Sequence, residues 1–332
     1  MPLPAFLITV DTEGDNLWAK PRAITTRNAE FLPRFQALCE KYGLKPAYLT
    51  NWEMANCPAF VELGRDVLAR GAGEIGMHLH AWNSPPIVRL TADDDRHAPY
   101  LIEYPEPLIR EKVKVMTAKL QEVFGVKMQS HRAGRWSFNE AYARALVDEG
   151  YRVDCSVTPH VSWRFCKGDP SRPGGSDYTD FPDSAYFLDL ADIARPGNSP
   201  LLELPLTVLR TRTYPAPVEK LRGAFAGNFY GTLMLRRIFP HFQMLMPNGR
   251  NRRSMLNIIA AVSAADQPYI EMAIHSSELM PGGSPTFPDA GSVENLYADL
   301  EVIFSAARGK FSGSTLAEFH ERYVHAVVPE RA

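Results

Sequence analysis

The stretch Glu74-Ile75-Gly76-Met77-His78-Leu79-His80-Ala81-Trp82 has the pattern of a short buried strand whose end bears two histidines. In an extended backbone, residues two apart point to the same face, so His78 and His80 are predicted to face one point. Imidazole nitrogen is a suitable ligand for zinc and its neighbouring divalent metals. Because a His-x-His pair is a generic signal, the interpretation as a metal site depends on the other predicted strands.

Strand-like apolar runs alternate with segments of helical period along the chain, which predicts a mostly parallel sheet or barrel wrapped by helices. The predicted strands are Ala5 to Val10, Ala47 to Thr50, Glu74 to Leu79, Met128 to Arg132, Arg152 to Val157, Leu201 to Leu206 and Tyr269 to His275. The predicted helices are Glu30 to Tyr42, Phe60 to Arg70, Ile109 to Phe124, Ser137 to Glu149 and Val293 to Phe304. Ser137 and Glu140 are expected to open the fourth helix as a capping box.

The length of 332 residues fits one α/β barrel, so a single domain over 1–332 is predicted. Two stretches break the alternation, at about 158–200 and 215–253. Long insertions in compact domains are usually functional, so both are predicted to be loops that act as lids or substrate walls.

The formal net charge of −2 gives no reason to expect a nucleic-acid partner. No run approaches the roughly 20 apolar residues that a membrane span needs. Asp11 interrupts the first apolar run too early for a signal peptide, and the four cysteines lack a CxxC spacing. We therefore expect a cytoplasmic protein with reduced thiols.

Arginines crowd the region 236–253 with aromatic residues and methionines between them. This pattern is compatible with a peripheral surface that docks an anionic or lipid-linked substrate. A solvated loop over a small satellite core is the alternative interpretation.

Polar residues end four of the predicted strands or directly follow them. They are Asp11 and Glu13, then His78 and His80, then Arg132, and finally His275. Because the carboxyl ends of parallel strands meet at one edge, we expect these side chains to form one site.

The chemistry of these residue types predicts their roles in a hydrolytic site. Glu13, His78 and His80 are the predicted ligands of a divalent metal. Asp11 is the predicted general base, held ionised by Arg132, and His275 is the predicted proton donor.

Four further residues are predicted to support the site. His131 is a reserve ligand, although its side chain is expected to face away from that of Arg132. Asp154 is expected to orient His275, and Trp82, Trp136 and Asp154 are predicted substrate contacts.

Five segments resemble the motifs of the NodB-homology polysaccharide deacetylases, in chain order over most of the sequence. They are Thr9-Val10-Asp11-Thr12-Glu13-Gly14-Asp15, Glu74-Ile75-Gly76-Met77-His78, Arg132-Ala133-Gly134-Arg135-Trp136, Gly150-Tyr151-Arg152-Val153-Asp154-Cys155-Ser156-Val157 and Ala273-Ile274-His275-Ser276-Ser277-Glu278-Leu279. The resemblance implies a distorted (β/α)-barrel with about seven parallel strands. It also implies metal-dependent removal of N- or O-acetyl groups from glycans. The family's second metal histidine corresponds to Trp82, so His80 is expected to substitute for it.

The sequence therefore predicts a zinc-dependent deacetylase acting on an acetylated sugar, a precursor of a surface polysaccharide such as lipopolysaccharide O-antigen. Two alternatives remain open at this stage. One is a non-catalytic carbohydrate-binding barrel, because fold does not fix function. The other is a metal hydrolase of the amidohydrolase or phosphoesterase kind, although there the His-x-His pair normally ends the first strand.

Overall fold

The computed structural model describes residues 3–225, 228–265 and 267–327. Its strands are β1 (Ala5–Thr12), β2 (Pro46–Thr50), β3 (Glu74–Leu79), β4 (Ser130–Ala133), β5 (Val153–Asp154), β6 (Tyr186–Asp189), β7 (Asp192–Pro196), β8 (Leu202–Glu203), β9 (Val208–Arg210), β10 (Phe242–Met244), β11 (Tyr269–His275) and β12 (Ser312–Gly313). Its α-helices are α1 (Leu32–Lys41), α2 (Pro58–Ala69), α3 (Asp94–His97), α4 (Glu106–Phe124), α5 (Glu140–Asp148), α6 (Ala216–Phe225), α7 (Phe229–Ile238), α8 (Arg252–Ala264), α9 (Ala290–Ala307) and α10 (Leu316–Val327).

Ten of the described strands form one sheet in the order β11-β1-β2-β3-β4-β5-β8-β6-β7, with β12 paired to β1. The seven strands from β11 to β8 all run parallel to one another, as a (β/α)-barrel requires. Strands β6 and β7 extend the sheet in antiparallel fashion, so the barrel is distorted. The predicted fold class with about seven parallel strands is confirmed.

Strand β1 is buried along its whole length and divides its side chains between two faces. Phe6 packs edge-on against Phe304 of α9, with ring centroids 5.9 Å apart, in the core between sheet and helices. Leu7 points to the opposite face and joins a separate apolar cluster with Leu202 and with Phe319 of α10. Helix α10, which the sequence analysis missed, therefore covers the end of the barrel from which the strands begin.

Above that apolar cluster, the same face of β1 becomes polar. Thr9, Asp11 and Glu13 follow Leu7 at intervals of two residues, and all three are buried. The chain thus places an apolar plug at one end of the barrel and polar groups at the carboxyl ends of the strands.

The predicted capping box at Ser137 is wrong. Helix α5 begins at Glu140, and the side chain of Asn139 accepts a hydrogen bond from the Tyr142 amide at 3.0 Å. Ser137 closes the preceding turn instead, since its hydroxyl donates to the carbonyl of Gly134 at 3.1 Å. Asparagine caps a helix as well as serine does, so the position nearer the helix takes the role.

The insertions differ from the predicted loops. The stretch 158–200 is largely irregular until it forms the β6–β7 hairpin, whereas 215–253 contains α6, α7 and β10. The prediction of a loop over 215–253 is wrong because the crowded basic and aromatic residues obscured a helical period. None of the described helices is long and apolar enough to cross a membrane.

Candidate metal centre and acid-base pair

The sheet register brings the predicted site residues together. The β1–β11 pairing sets Asp11 beside His275, and the β3–β4 pairing sets His78 beside Arg132. Because these strands are parallel, all four residues lie at the same edge of the sheet.

Glu13, His78 and His80 form a buried cluster of three ligand atoms. The Nε2 atoms of the two histidines are 3.0 Å apart, and a carboxylate oxygen of Glu13 lies 3.4 Å from His78 Nε2 and 3.2 Å from His80 Nε2. Two imidazole nitrogens and one carboxylate are the donor set of a catalytic zinc site. These three residues are positioned to bind a metal ion.

The protonation of the two imidazoles fits this assignment. His78 Nδ1 lies 3.0 Å from the carbonyl oxygen of Arg132, an acceptor that places the proton on Nδ1 and leaves the Nε2 lone pair free. Burial lowers the pKa of His80 well below its ordinary value, and the nearby positive charge of Arg135 acts in the same direction. His80 is therefore a neutral imidazole, the form that binds a metal.

Gly134 and Trp82 fix the position of the His80 ring. A Cβ at residue 134 would collide with His80 Cδ2 and approach the Leu79 carbonyl oxygen to 2.6 Å, so only glycine leaves room for this ring. On the other side, the indole of Trp82 stacks on His80 with ring centroids 4.4 Å apart. Trp82, which corresponds to the second histidine of the deacetylase motif, therefore packs against His80.

Arg132 connects Asp11 to a second buried carboxylate. Its guanidinium donates to Asp11 Oδ1 at 2.8 Å, to the Thr9 hydroxyl at 2.7 Å, and to Glu271. Burial raises the pKa of Asp11, but the charge and hydrogen bond of Arg132 and the positive charge of His275 outweigh this effect and leave the pKa below the ordinary value. Asp11 is consequently ionised and held in a fixed orientation.

His275 lies between two carboxylates. Its Nε2 is 3.7 Å from Asp11 Oδ2, and its Nδ1 is 3.3 Å from Glu278, which also accepts the His275 backbone amide at 2.9 Å. Burial disfavours the imidazolium, yet the hydrogen bond and charge of Glu278 and the charges of Glu13 and Asp11 raise its pKa to about 9. His275 is therefore protonated at neutral pH and able to donate a proton.

These groups open into one cavity of about 400 Å³. Its walls are rich in aromatic side chains and are formed by Asp11, Glu13, Leu17, Trp18, Lys20, His78, His80, Trp82, Tyr100, Arg135, Trp136, Trp163, Cys166 and His275. Arg135 and Trp136 both have positive φ values, 56° and 58°, which non-glycine residues rarely adopt. Such a turn costs free energy and is typical of functional sites, and here both of its residues line the cavity.

Six predicted catalytic and metal residues therefore meet at one edge of the sheet, with Arg132 buried just beneath the cavity. The predicted substrate contacts Trp82 and Trp136 line the cavity as well. The stretch 158–200 contributes Trp163 and Cys166, so part of that insertion does form a wall.

Asp154 and His131 do not take the parts predicted for them. Asp154 is fully buried and accepts hydrogen bonds from His131 Nδ1 at 2.6 Å and from the Ser156 hydroxyl at 2.9 Å. The other ring nitrogen of His131 is bonded to the Tyr142 hydroxyl. Because His131 and Arg132 are adjacent in β4, their side chains face opposite sides of the sheet. His131 and Asp154 therefore lie on the side of α5, to which His131 is bonded through Tyr142, and not in the site.

Sequence analysis missed three supporting residues. Glu278 carries a recognisable signal, three residues after His275, where its side chain caps the turn that the histidine begins. Gly134 and Glu271 carry none, because their importance depends on neighbours distant in sequence.

Comparison of the structure with known structures identifies relatives of the fold. A protein assigned as a polysaccharide deacetylase from Mycobacterium smegmatis superposes with a TM-score of 0.52 and 14% identity, covering 97% of this chain and 91% of that one. The 4-alpha-glucanotransferase from Thermococcus litoralis gives a TM-score of 0.54 and 14% identity, with 97% of this chain covered but only 41% of that enzyme. A GH57-type branching enzyme from Pyrococcus horikoshii gives 0.51 and 7%, covering 96% of this chain and 70% of that chain.

No protein-family model and no curated protein matches the sequence. The identities to the solved structures are low, so these comparisons establish the fold alone. The resemblance to the polysaccharide deacetylases is confirmed at that level. Since the fold also occurs in enzymes with other names, the function must be argued from the site.

Proposed function

We propose that this protein is a metal-dependent deacetylase that hydrolyses an N-acetyl or O-acetyl group on a sugar. One observation carries the proposal: the three ligand atoms of Glu13, His78 and His80 share a cavity with the acid-base pair of Asp11 and His275. Hydrolysis of an amide or ester needs an electrophilic centre, a base for water and an acid for the leaving group.

Zinc is the metal that we propose, because the donor set is two histidines and one carboxylate. When bound, such an ion supplies Lewis-acid chemistry, polarising an acyl oxygen and making a water molecule more acidic. Glu13, His78 and His80 would hold this ion at the carboxyl ends of β1 and β3.

The protein's own residues move the protons. Asp11 accepts a proton from the attacking water as the water oxygen bonds to the acyl carbon, while Arg132 keeps the carboxylate oriented. His275 donates its Nε2 proton to the departing nitrogen or oxygen of the sugar as the acyl bond breaks. The products are the free amine or hydroxyl and acetic acid, which keeps the second proton of the water and then ionises to acetate by releasing that proton to solvent. Transfer of a proton from Asp11 to His275 restores the pair.

An acetylated sugar is supported by the cavity as well as by the fold. Aromatic walls suit the apolar faces of sugar rings, and about 400 Å³ is typical of a small-molecule site. We place the substrate among precursors of a surface polysaccharide such as lipopolysaccharide O-antigen. We place the protein in the cytoplasm, where four unpaired cysteines remain reduced.

Acetate release from acetylated amino sugars tests the proposal. Asp11→Asn keeps the shape of the side chain but removes the base, so turnover should fall by about 10²- to 10⁴-fold while zinc binding persists. Asp66→Asn changes an exposed carboxylate on α2 and is the matched control, which should retain full activity. Sugar binding without acetate release by the zinc-loaded wild type would favour the non-catalytic barrel, and unchanged turnover in Asp11→Asn would refute the assigned base.

A further inference from the structure

Helices α6 and α7 form a hairpin whose outer surface is apolar. On α7, Phe229, Tyr230, Leu233, Met234 and Ile238 are exposed, with Tyr230 at 81% and Ile238 at 57% of full accessibility. Spacings of four residues place Tyr230, Met234 and Ile238 on one helix face. Leu221 and Phe225 of α6 are exposed as well, so seven of the thirteen large apolar residues exposed in the described chain lie in this hairpin.

The opposite face of α7 packs against the rest of the protein, so the apolar face points to solvent. Leu235 is buried, and the Arg236 guanidinium lies 4.6 Å from the ring centroid of Phe165 and 5.7 Å from that of Trp163. Gly231 packs closely against Phe225 of α6. The exposed face is therefore a fixed part of the surface.

The surrounding segment is strongly basic. Residues 210–253 contain nine lysines and arginines and one acidic residue, Glu219, which gives a formal charge of +8 in a chain whose net charge is −2. Lys220, Arg237, Arg250 and Arg253 are exposed near the apolar face in sequence. Lys220 lies on α6 and Arg237 on α7, so the hairpin that bears the apolar face also bears cations. Apolar side chains and cations on one element are both features that favour an anionic lipid surface.

We propose that the α6–α7 hairpin docks on an anionic lipid bilayer, with its apolar face at the boundary between headgroups and acyl chains. Each helix has ten residues, about 15 Å, so it is suited to lie in the interface and too short to span. A second copy of the chain is a poor occupant, because two segments that each carry a formal charge of +8 would repel each other. Lipid phosphates supply the complementary charge.

The hairpin also borders the cavity. Phe229 of α7 contacts Phe165, with ring centroids 5.9 Å apart, and Trp163 lines the cavity wall. Docking would hold the cavity near the headgroups, where it suits an acetylated sugar carried on a lipid. That consequence rests on the proposed function, whereas docking itself does not.

Vesicle co-sedimentation of the full chain tests the docking without any substrate. We expect binding to vesicles of phosphatidylcholine mixed with phosphatidylglycerol, weak binding to phosphatidylcholine alone, and loss of binding at high salt. Tyr230→Asp combined with Met234→Asp should weaken binding at least about tenfold, and so should Arg237→Glu combined with Arg253→Glu.

Val126→Asp and Lys127→Glu are the matched controls, because both residues are exposed and lie between α4 and β4, outside the hairpin and the basic segment. They should bind vesicles like the wild type. Thermal unfolding and hydrolysis of a soluble acetylated sugar, measured on every variant, separate loss of docking from loss of fold or activity. The proposal is overturned if the wild type ignores anionic vesicles or if the controls lose binding equally. It is also overturned if the hairpin substitutions abolish self-association in sedimentation velocity rather than vesicle binding.

Discussion

At the scale of single residues, the protonation state of His275 is determined by the carboxylates around it. Glu278 bonds both the ring and the backbone amide of this residue, while Asp11 and Glu13 of the first strand and its following loop add negative charge. The Trp18 ring covers the imidazole edge-on, with centroids 4.9 Å apart. Together these contacts keep an imidazolium at pH values where a free histidine has lost its proton.

The pH dependence of turnover follows from this arrangement. Because His275 must be protonated to donate and its pKa is about 9, the turnover number should hold through neutral pH and fall above about pH 9. Glu278→Gln keeps a hydrogen-bond acceptor but removes the negative charge, so the alkaline limb should move to lower pH, toward the ordinary histidine value. A full pH-rate profile measures this shift, with Asp66→Asn as the unshifted control. An alkaline limb that stays in place would show that another group is the acid.

The locations of residues at the carboxyl ends of strands could be predicted from the sequence better than the contacts of residues inside the sheet. Asp11, Glu13, His78 and His80 could be placed together because parallel strands share an edge. The role assigned to Asp154 failed, since choosing between His275 and His131 as its partner requires the register of β4 against β5. Register depends on packing across the sheet, which local sequence patterns do not specify.

At the scale of elements, β4 and β11 contribute a buried charge network. Glu271 of β11 accepts hydrogen bonds from Arg132 of β4 and from Thr9 of β1. Burial raises the pKa of Glu271 to about 7, and the opposing charge of Arg132 only reduces that effect. The carboxyl is therefore harder to ionise in the folded state than in the unfolded chain.

This shift makes folding depend on pH in a defined direction. Between the ordinary glutamate pKa of 4.5 and the raised pKa of about 7, the folded state binds the extra proton. Glu271 therefore favours folding at low pH and loses that contribution as pH rises. Glu271→Gln cannot ionise. Relative to this variant, the wild type should therefore lose on the order of 3 kcal/mol of unfolding free energy between pH 5 and pH 8. Urea unfolding of both proteins at the two pH values gives the difference, and an equal stability gap at both would refute the raised pKa.

The bounds of elements with a clear pattern of apolar residues were predicted well. Strands β3 and β11 have the predicted bounds, because each is a short apolar run that ends in polar residues. Helices α6, α7 and α10 were missed, and the predicted strands at 152–157 and 201–206 shorten to two residues each. The two strands owe their structure to their neighbours in the sheet rather than to their own pattern.

At the scale of the whole molecule, the barrel is polarised along its axis. Apolar side chains and α10 fill the end where the strands begin, Arg132 and its carboxylates follow, and the open cavity lies at the other end. This order explains why ligand atoms can be buried and still reach the cavity. It also explains why the basic hairpin, next to Trp163, lies beside the cavity mouth.

Metal binding by Glu13, His78 and His80 is the central claim, and calorimetric titration of chelator-treated protein with zinc tests it most directly. The wild type should bind one ion per chain, His80→Ala should bind at least about a hundredfold more weakly, and His325→Ala, at an exposed site on α10, should bind like the wild type. Zinc affinity in His80→Ala equal to that of the wild type would contradict the account.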